Sequence, residues 1–123
     1  MFSLGEAHRY YLYQEAADLR KGFNGLSGLV RNELDKDPLS GDVFIFINRS
    51  RNRMKLLLWE EGGFLLLYKR LARGRFEYPV VDADGLGAVI SWQQLMLIVK
   101  GIDLNSIRKR KRFSYKKRGL KKG

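Results

Sequence analysis

Apolar residues along this chain change their spacing several times, and each change marks an expected element. Residues 10–14, Tyr-Tyr-Leu-Tyr-Gln, read as a short aromatic strand. Beyond them Leu19, Phe23, Leu26, Val30 and Leu34 recur at intervals of three and four, the period of one helical face, and Asp18 stands where an N-cap belongs. The pattern predicts a helix over 18–34 with that face in the core. Gly22, Gly25 and Gly28 fall inside it at every third position, each costing about 0.8–1 kcal/mol relative to Ala. Close approach of a backbone, from a packed strand or from a ligand, is the expected compensation, with the strand favoured. Asp37-Pro38-Leu39-Ser40-Gly41 ends the helix in a turn. Three strand-like runs follow at 43–48, 53–59 and 64–71, joined by short connectors that favour an antiparallel meander. A further strand is expected at 76–81, closed by the turn Asp82-Ala83-Asp84-Gly85. Ser91 precedes Gln94 by three residues, ahead of Leu95, Met96, Ile98 and Val99, which is a capping box opening an amphipathic helix that Gly101 would stop.

These elements describe an α+β domain over residues 1–107: an antiparallel sheet of four to five strands packed by two helices. Residues 108–123 differ in kind. Ten of these sixteen are Lys or Arg and none is acidic, so nearly all of the net charge of +11 lies in this C-terminal tail. Arg108, Lys109, Arg110, Lys111, Arg112, Lys116, Lys117 and Arg118 surround Phe113 and Tyr115, which adds stacking surface to point charge. Nucleic acid is the leading partner class, against a disordered tail that serves solubility. Attraction to anionic lipid is the weaker reading, because neither an amphipathic helix nor an acylation motif accompanies the tail.

With no cysteine, disulfides, thiolate chemistry and finger-type zinc sites are excluded. Apolar runs such as 43–47 and 95–99 are far shorter than the ~20 residues a membrane span needs. The first residues lack the basic start and long apolar stretch of a signal peptide, and a cytoplasmic protein is expected.

The meander allows a register to be written. With a loop at 60–63, Trp59 faces Phe64, Leu57 faces Leu66, Lys55 faces Tyr68 and Arg53 faces Arg70, while Leu58 and Leu56 face Leu65 and Leu67 on a core-facing surface. One sheet face then ends in a basic and aromatic cluster. Opposed arginines repel, and a bound phosphate would relieve the repulsion. Arg49 and Arg51 in the preceding turn, with Arg73 and Arg75 beyond the third strand, join the cluster if Lys69 points elsewhere. The competing reading is a sheet rim that uses charge against edge association.

Enzymatic constellations are scarce. His8 is the single histidine, so neither a His-based pair nor a His₂ metal site can be built, and a surface or packing role is expected for it. Glu60, Glu61, Asp82 and Asp84 lie in expected turns, and no Walker loop is present. No cofactor and no metal are expected.

Ordered motifs carry a further likeness: His8-Arg9-Tyr10 through Tyr13, Asp18 to Leu26, Asp37 to Gly41, Phe46, Asn48-Arg49, Lys55, Trp59, Gly63-Phe64, Lys69-Arg70-Leu71, Gly74-Arg75-Phe76, Pro79 and Gly101-Ile102-Asp103. Over residues 1–104 the chain resembles the TnpB-type accessory proteins encoded beside the transposase in the bacterial insertion-sequence group numbered sixty-six. These are distinct from the RNA-guided nuclease that shares the TnpB name. The resemblance implies assistance to a separate transposase, not strand transfer itself, and places Arg20, Lys21, Arg49, Lys55, Lys69 and Arg70 at motif positions. Leu19 stands where the family often has Met, and Tyr78 where a Trp commonly precedes the Pro; both substitutions conserve bulk. The expected partners are DNA at the insertion-sequence ends and the transposase of the same element. An adaptor that docks the transposase and touches DNA only weakly is the alternative.

Overall fold

Five strands and two helices lie along residues 4–80 and 86–101, the part of the chain that the computed structural model describes. In order they are β1 (Tyr10–Tyr13), α1 (Phe23–Asn32), β2 (Val43–Ile47), β3 (Arg53–Glu60), β4 (Gly63–Arg70), β5 (Gly87–Ile90) and α2 (Trp92–Lys100). The strands form one sheet in the order β4-β3-β2-β1-β5. β2, β3 and β4 are the expected antiparallel meander, and β5 also runs antiparallel to β1. The β1–β2 pair is parallel, because α1 carries the chain across between them, so the sheet is mixed though mostly antiparallel.

Alternation of side chains divides the core in two. Tyr10, Leu12, Val43, Ile45, Ile47, Met54, Leu56 and Leu58 form one face of the sheet with Leu95 and Ile98 of α2. Tyr11, Tyr13, Phe44, Phe46 and Leu57 form the other with Leu26 and Val30 of α1. Both faces are therefore covered by a helix, where a single core-facing surface was expected. This is why β1 and β2 read as unbroken apolar runs and are buried at every position.

α2 matches its sequence signature. Ser91 Oγ accepts the Gln94 N–H at 3.0 Å, Gln94 Oε1 accepts the Ser91 N–H at 2.8 Å, and Gly101 caps the far end with φ 73°. α1 departs from its signature: it begins at Phe23 behind Gly22, which gives no side-chain cap, and ends at Asn32. Asp18 is not its N-cap, because both carboxylate oxygens are engaged by Arg20 and residues 18–21 close a turn instead. Leu26 and Val30 of the expected face are buried, whereas Phe23 is exposed. No packed strand approaches the three glycines. A Cβ at Gly22 or Gly28 would meet nothing within 4 Å, and one at Gly25 would meet only the Lys21 side chain.

The expected strand at 76–81 is absent over its described residues: 76–80 are irregular, and Phe76 is instead a fully buried anchor of the α2-side core. β5 takes the place at the sheet edge, in a segment whose short Gly-Ala-Val-Ile sequence carries little alternation. The turn expected at 82–85 and the tail at 108–123 lie outside the described residues. Among the described residues no helix is long and apolar enough to cross a membrane.

Candidate nucleic-acid interface

The β3–β4 hairpin has the register read from its sequence: Arg53 opposite Arg70, Lys55 opposite Tyr68, Leu57 opposite Leu66 and Trp59 opposite Phe64. Its turn is tighter than the expected four residues. Glu60 still pairs with Gly63, and Glu61 and Gly62 turn the chain with φ 51° and 82°, the two positive values of a type I′ hairpin. Arg53, Lys55, Tyr68 and Arg70 consequently share the α1 side of the sheet, at the end that α1 leaves uncovered.

There the β1–α1 connection and the β2–β3 turn enclose a groove of about 270 Å³, lined by Ala17, Asp18, Leu19, Arg20, Asn48, Arg49, Ser50, Arg53 and Tyr68. Each wall is fixed locally. Asn48 Oδ1 accepts the N–H groups of Asn52 and Arg53 at 3.0 Å, and its Nδ2 donates to Asn52 Oδ1 at 2.8 Å, so the turn that presents Arg49 is braced from within. Lys55 Nζ donates to the carbonyls of Leu19 at 2.7 Å and Lys21 at 3.1 Å, pinning the opposite wall to the sheet, and lies 5.6 Å from the centre of the Tyr68 ring. Asp18 is the one acid of the lining. Hydrogen bonds from the Arg20 side chain and backbone hold its carboxyl well below the usual carboxylate range, so it stays ionised and spends its charge on Arg20.

The expected cations therefore divide. Arg20, Arg49 and Arg53 line the groove, with Lys55 behind Tyr68 and Arg70 across from Arg53. Arg49, Arg53 and Arg70 are exposed, and among the described residues no carboxylate pairs with them. Lys21 is exposed beside Arg20 and gives its backbone carbonyl to Lys55. Arg51 turns away: it stacks 4.8 Å over Tyr78 and reaches Glu77 at 3.5 Å, and Arg75 lies 3.9 Å from the same carboxylate. Lys69 faces the α2 side, where its Nζ donates to the Val99 carbonyl at 2.6 Å in the last turn of α2. Arg73 is exposed between β4 and Phe76 and does not line the groove. Trp59 packs edge-on against Phe64 at 5.0 Å, at the other end of the hairpin.

Sequence reasoning missed Asp18 and the carbonyl clamp from Lys55. An Asp two residues before an Arg was the available sign of the first; nothing in the sequence marks the second. Among the described residues no three His, Asp or Glu side chains gather closely enough to hold a metal ion.

The family described as IS66 Orf2-like protein matches residues 8–109. Two proteins of Sinorhizobium fredii, each described as uncharacterised, are similar to this chain. One, y4hO, is 38% identical over 104 residues, spanning 84% of this chain and 88% of its own; the other, y4jC, is 31% identical over 102 residues, spanning 83% and 86%. No solved structure matches. With the match running from the residues just before β1 to beyond α2, and so across every strand and both walls of the groove, the chain belongs to the IS66 Orf2-like family, a transposition-associated family of accessory proteins.

Proposed function

We propose that this protein assists transposition by binding DNA, without itself catalysing strand transfer, and that the groove on the α1 side is where the folded domain holds phosphate. The observation that carries the reading is the Arg53–Arg70 pair: two arginines directly across a strand pair, with Arg49 and Arg20 close by and no carboxylate for Arg49, Arg53 or Arg70 among the described residues. Like charges so placed destabilise a sheet, and an anion between them removes the penalty. Phosphate contacts of this kind give affinity and position, not sequence discrimination. The basic tail supplies a second, sequence-independent attraction, and insertion-sequence ends are the DNA that the family context favours.

A second reading, docking of the transposase, is favoured by a different place. Leu97 is 71% exposed on α2 and Met96 lies beside it, apolar surface on the side of the domain away from the groove. Gel-shift titration of element-end and random DNA at several salt concentrations, with and without transposase, separates the two. Salt-sensitive binding by the protein alone supports the groove and tail; binding seen only with transposase supports docking.

A further inference from the structure

Resting on the reading of the groove as a phosphate site, we infer that it takes an unpaired strand of DNA in preference to duplex, with Tyr68 as the platform for a base. Tyr68 is 53% exposed, an unusual state for a large aromatic ring in a sheet that buries most of its apolar side chains. Its cross-strand neighbour is fixed. Lys55, directly opposite on β3, stands 5.6 Å from the ring centre with its ammonium tied to two carbonyls. Arg70 is the next residue on the same face of β4, and Arg53 lies diagonally across on β3. One exposed ring thus stands among three cations at the side of a groove of about 270 Å³.

The chemistry of a paired base excludes it from this arrangement. In duplex DNA both ring faces are covered by neighbouring base pairs, and only backbone and groove edges are offered to a protein. An unpaired nucleotide offers a ring face and a phosphate together, which is what an aromatic ring flanked by guanidinium groups recognises. The groove is nucleotide-sized, whereas a duplex can only lie across its mouth. Further along the same face of β4, Phe64 stacks with the exposed Phe23 at 6.2 Å. Phe64 lies four residues from Tyr68, roughly 13 Å at strand rise, so a strand leaving Tyr68 along β4 meets a second aromatic pair.

The test uses the full chain, at salt high enough to suppress the contribution of the basic tail. Fluorescence anisotropy is measured with single-stranded DNA, duplex DNA and single-stranded RNA of one sequence, for the parent, Tyr68→Phe, Tyr68→Leu and Arg53→Ala. Thermal melts accompany each. The expected result is tighter binding of single-stranded DNA than of duplex. Tyr68→Leu, which keeps apolar bulk beside Lys55, should lose about tenfold on the single strand and little on the duplex, while Tyr68→Phe keeps parental affinity. Arg53→Ala should weaken both. If Arg53→Ala weakens binding but Tyr68→Leu does not, or weakens duplex equally, the platform is overturned and the phosphate groove stands. If no variant changes either affinity, the groove reading itself fails. Tighter binding of RNA than of DNA would overturn the assignment of the strand as DNA.

Discussion

The two helices cover opposite faces of one sheet, yet they are built to different standards. α2 has a complete capping box at Ser91, no internal glycine, a Gly101 stop and a lysine from β4 closing its last turn. α1 has no side-chain cap and starts at Phe23, and its interior holds Gly25 and Gly28. The consequence is spatial. On the α2 side three cations are held by structure: Lys69 caps the helix, and Arg51 and Arg75 share Glu77. On the α1 side the late start of the helix leaves the sheet end open, and Arg49, Arg53 and Arg70 stand there exposed. A count of positive charge along the chain does not distinguish these fates; the partners that the fold brings to each cation do.

The largest expected effect comes from the basic tail. Deleting residues 108–123 removes ten cations and should lower affinity for random DNA at low salt by about two orders of magnitude. The slope of log K against log salt should flatten by about 0.9 for every phosphate that the tail no longer neutralises. Unchanged affinity and slope would make the tail a solubility device, and the open face would then account for all of the binding.

Within the tail-deleted protein the contrast between faces becomes direct. Arg53→Ala and Arg70→Ala should each weaken DNA binding by about tenfold and flatten the salt slope by about 0.9, as expected when one phosphate goes without its cation. Their melting temperatures should stay level or rise slightly, since each removes a cross-strand repulsion. Variants that bind like the parent but melt earlier or aggregate would show that these arginines guard a sheet rim, and transposase docking would become the better account.

Much of this contrast is legible in the sequence, and the illegible part has physical causes. The Arg53–Arg70 register is legible because the connection between the two runs is short and centred on Glu61 and Gly62, which fixes the pairing along the whole hairpin. α2 is legible because a capping box is local chemistry, complete within four residues. The start of α1 is not, because Asp18 has two local uses, and a bidentate Arg20 two residues later outweighed capping. The parallel β1–β2 pair, the short strand β5 and the burial of Phe76 outside any strand all depend on contacts distant along the chain, which local periodicity does not encode. The groove falls between these cases: its β3 and β4 residues could be paired by register, but the wall at 17–20 comes from the turn that replaced the expected helix.

The capped helix should respond in stability alone. Ser91→Ala removes the acceptor for the Gln94 N–H and should cost about 1 kcal/mol, read as a melting temperature lower by several degrees, with DNA affinity unchanged. A loss of affinity at constant stability would mean that the α2 side also meets nucleic acid, and the division between the faces would fail.

The smallest effect probes why α1 tolerates its glycines. Nothing lies within 4 Å of a Cβ built at Gly28, which sits in the interior of the helix, whereas a Cβ at Gly25 would fall 2.8 Å from the Lys21 Cβ. Gly28→Ala should therefore stabilise the protein by about 0.8 kcal/mol, through helix propensity alone. Gly25→Ala should gain less or lose, because residue 21 lies on the turn whose carbonyl Lys55 holds and cannot withdraw freely. Thermal melts decide between this account and a missing ligand. If Gly28→Ala stabilises the protein and leaves DNA affinity intact, that glycine is only a weak point in an under-built helix. If it stabilises the protein but impairs binding, the open space above Gly28 is a place where a partner backbone comes close, and the bound surface on the α1 side extends beyond the groove and along the helix.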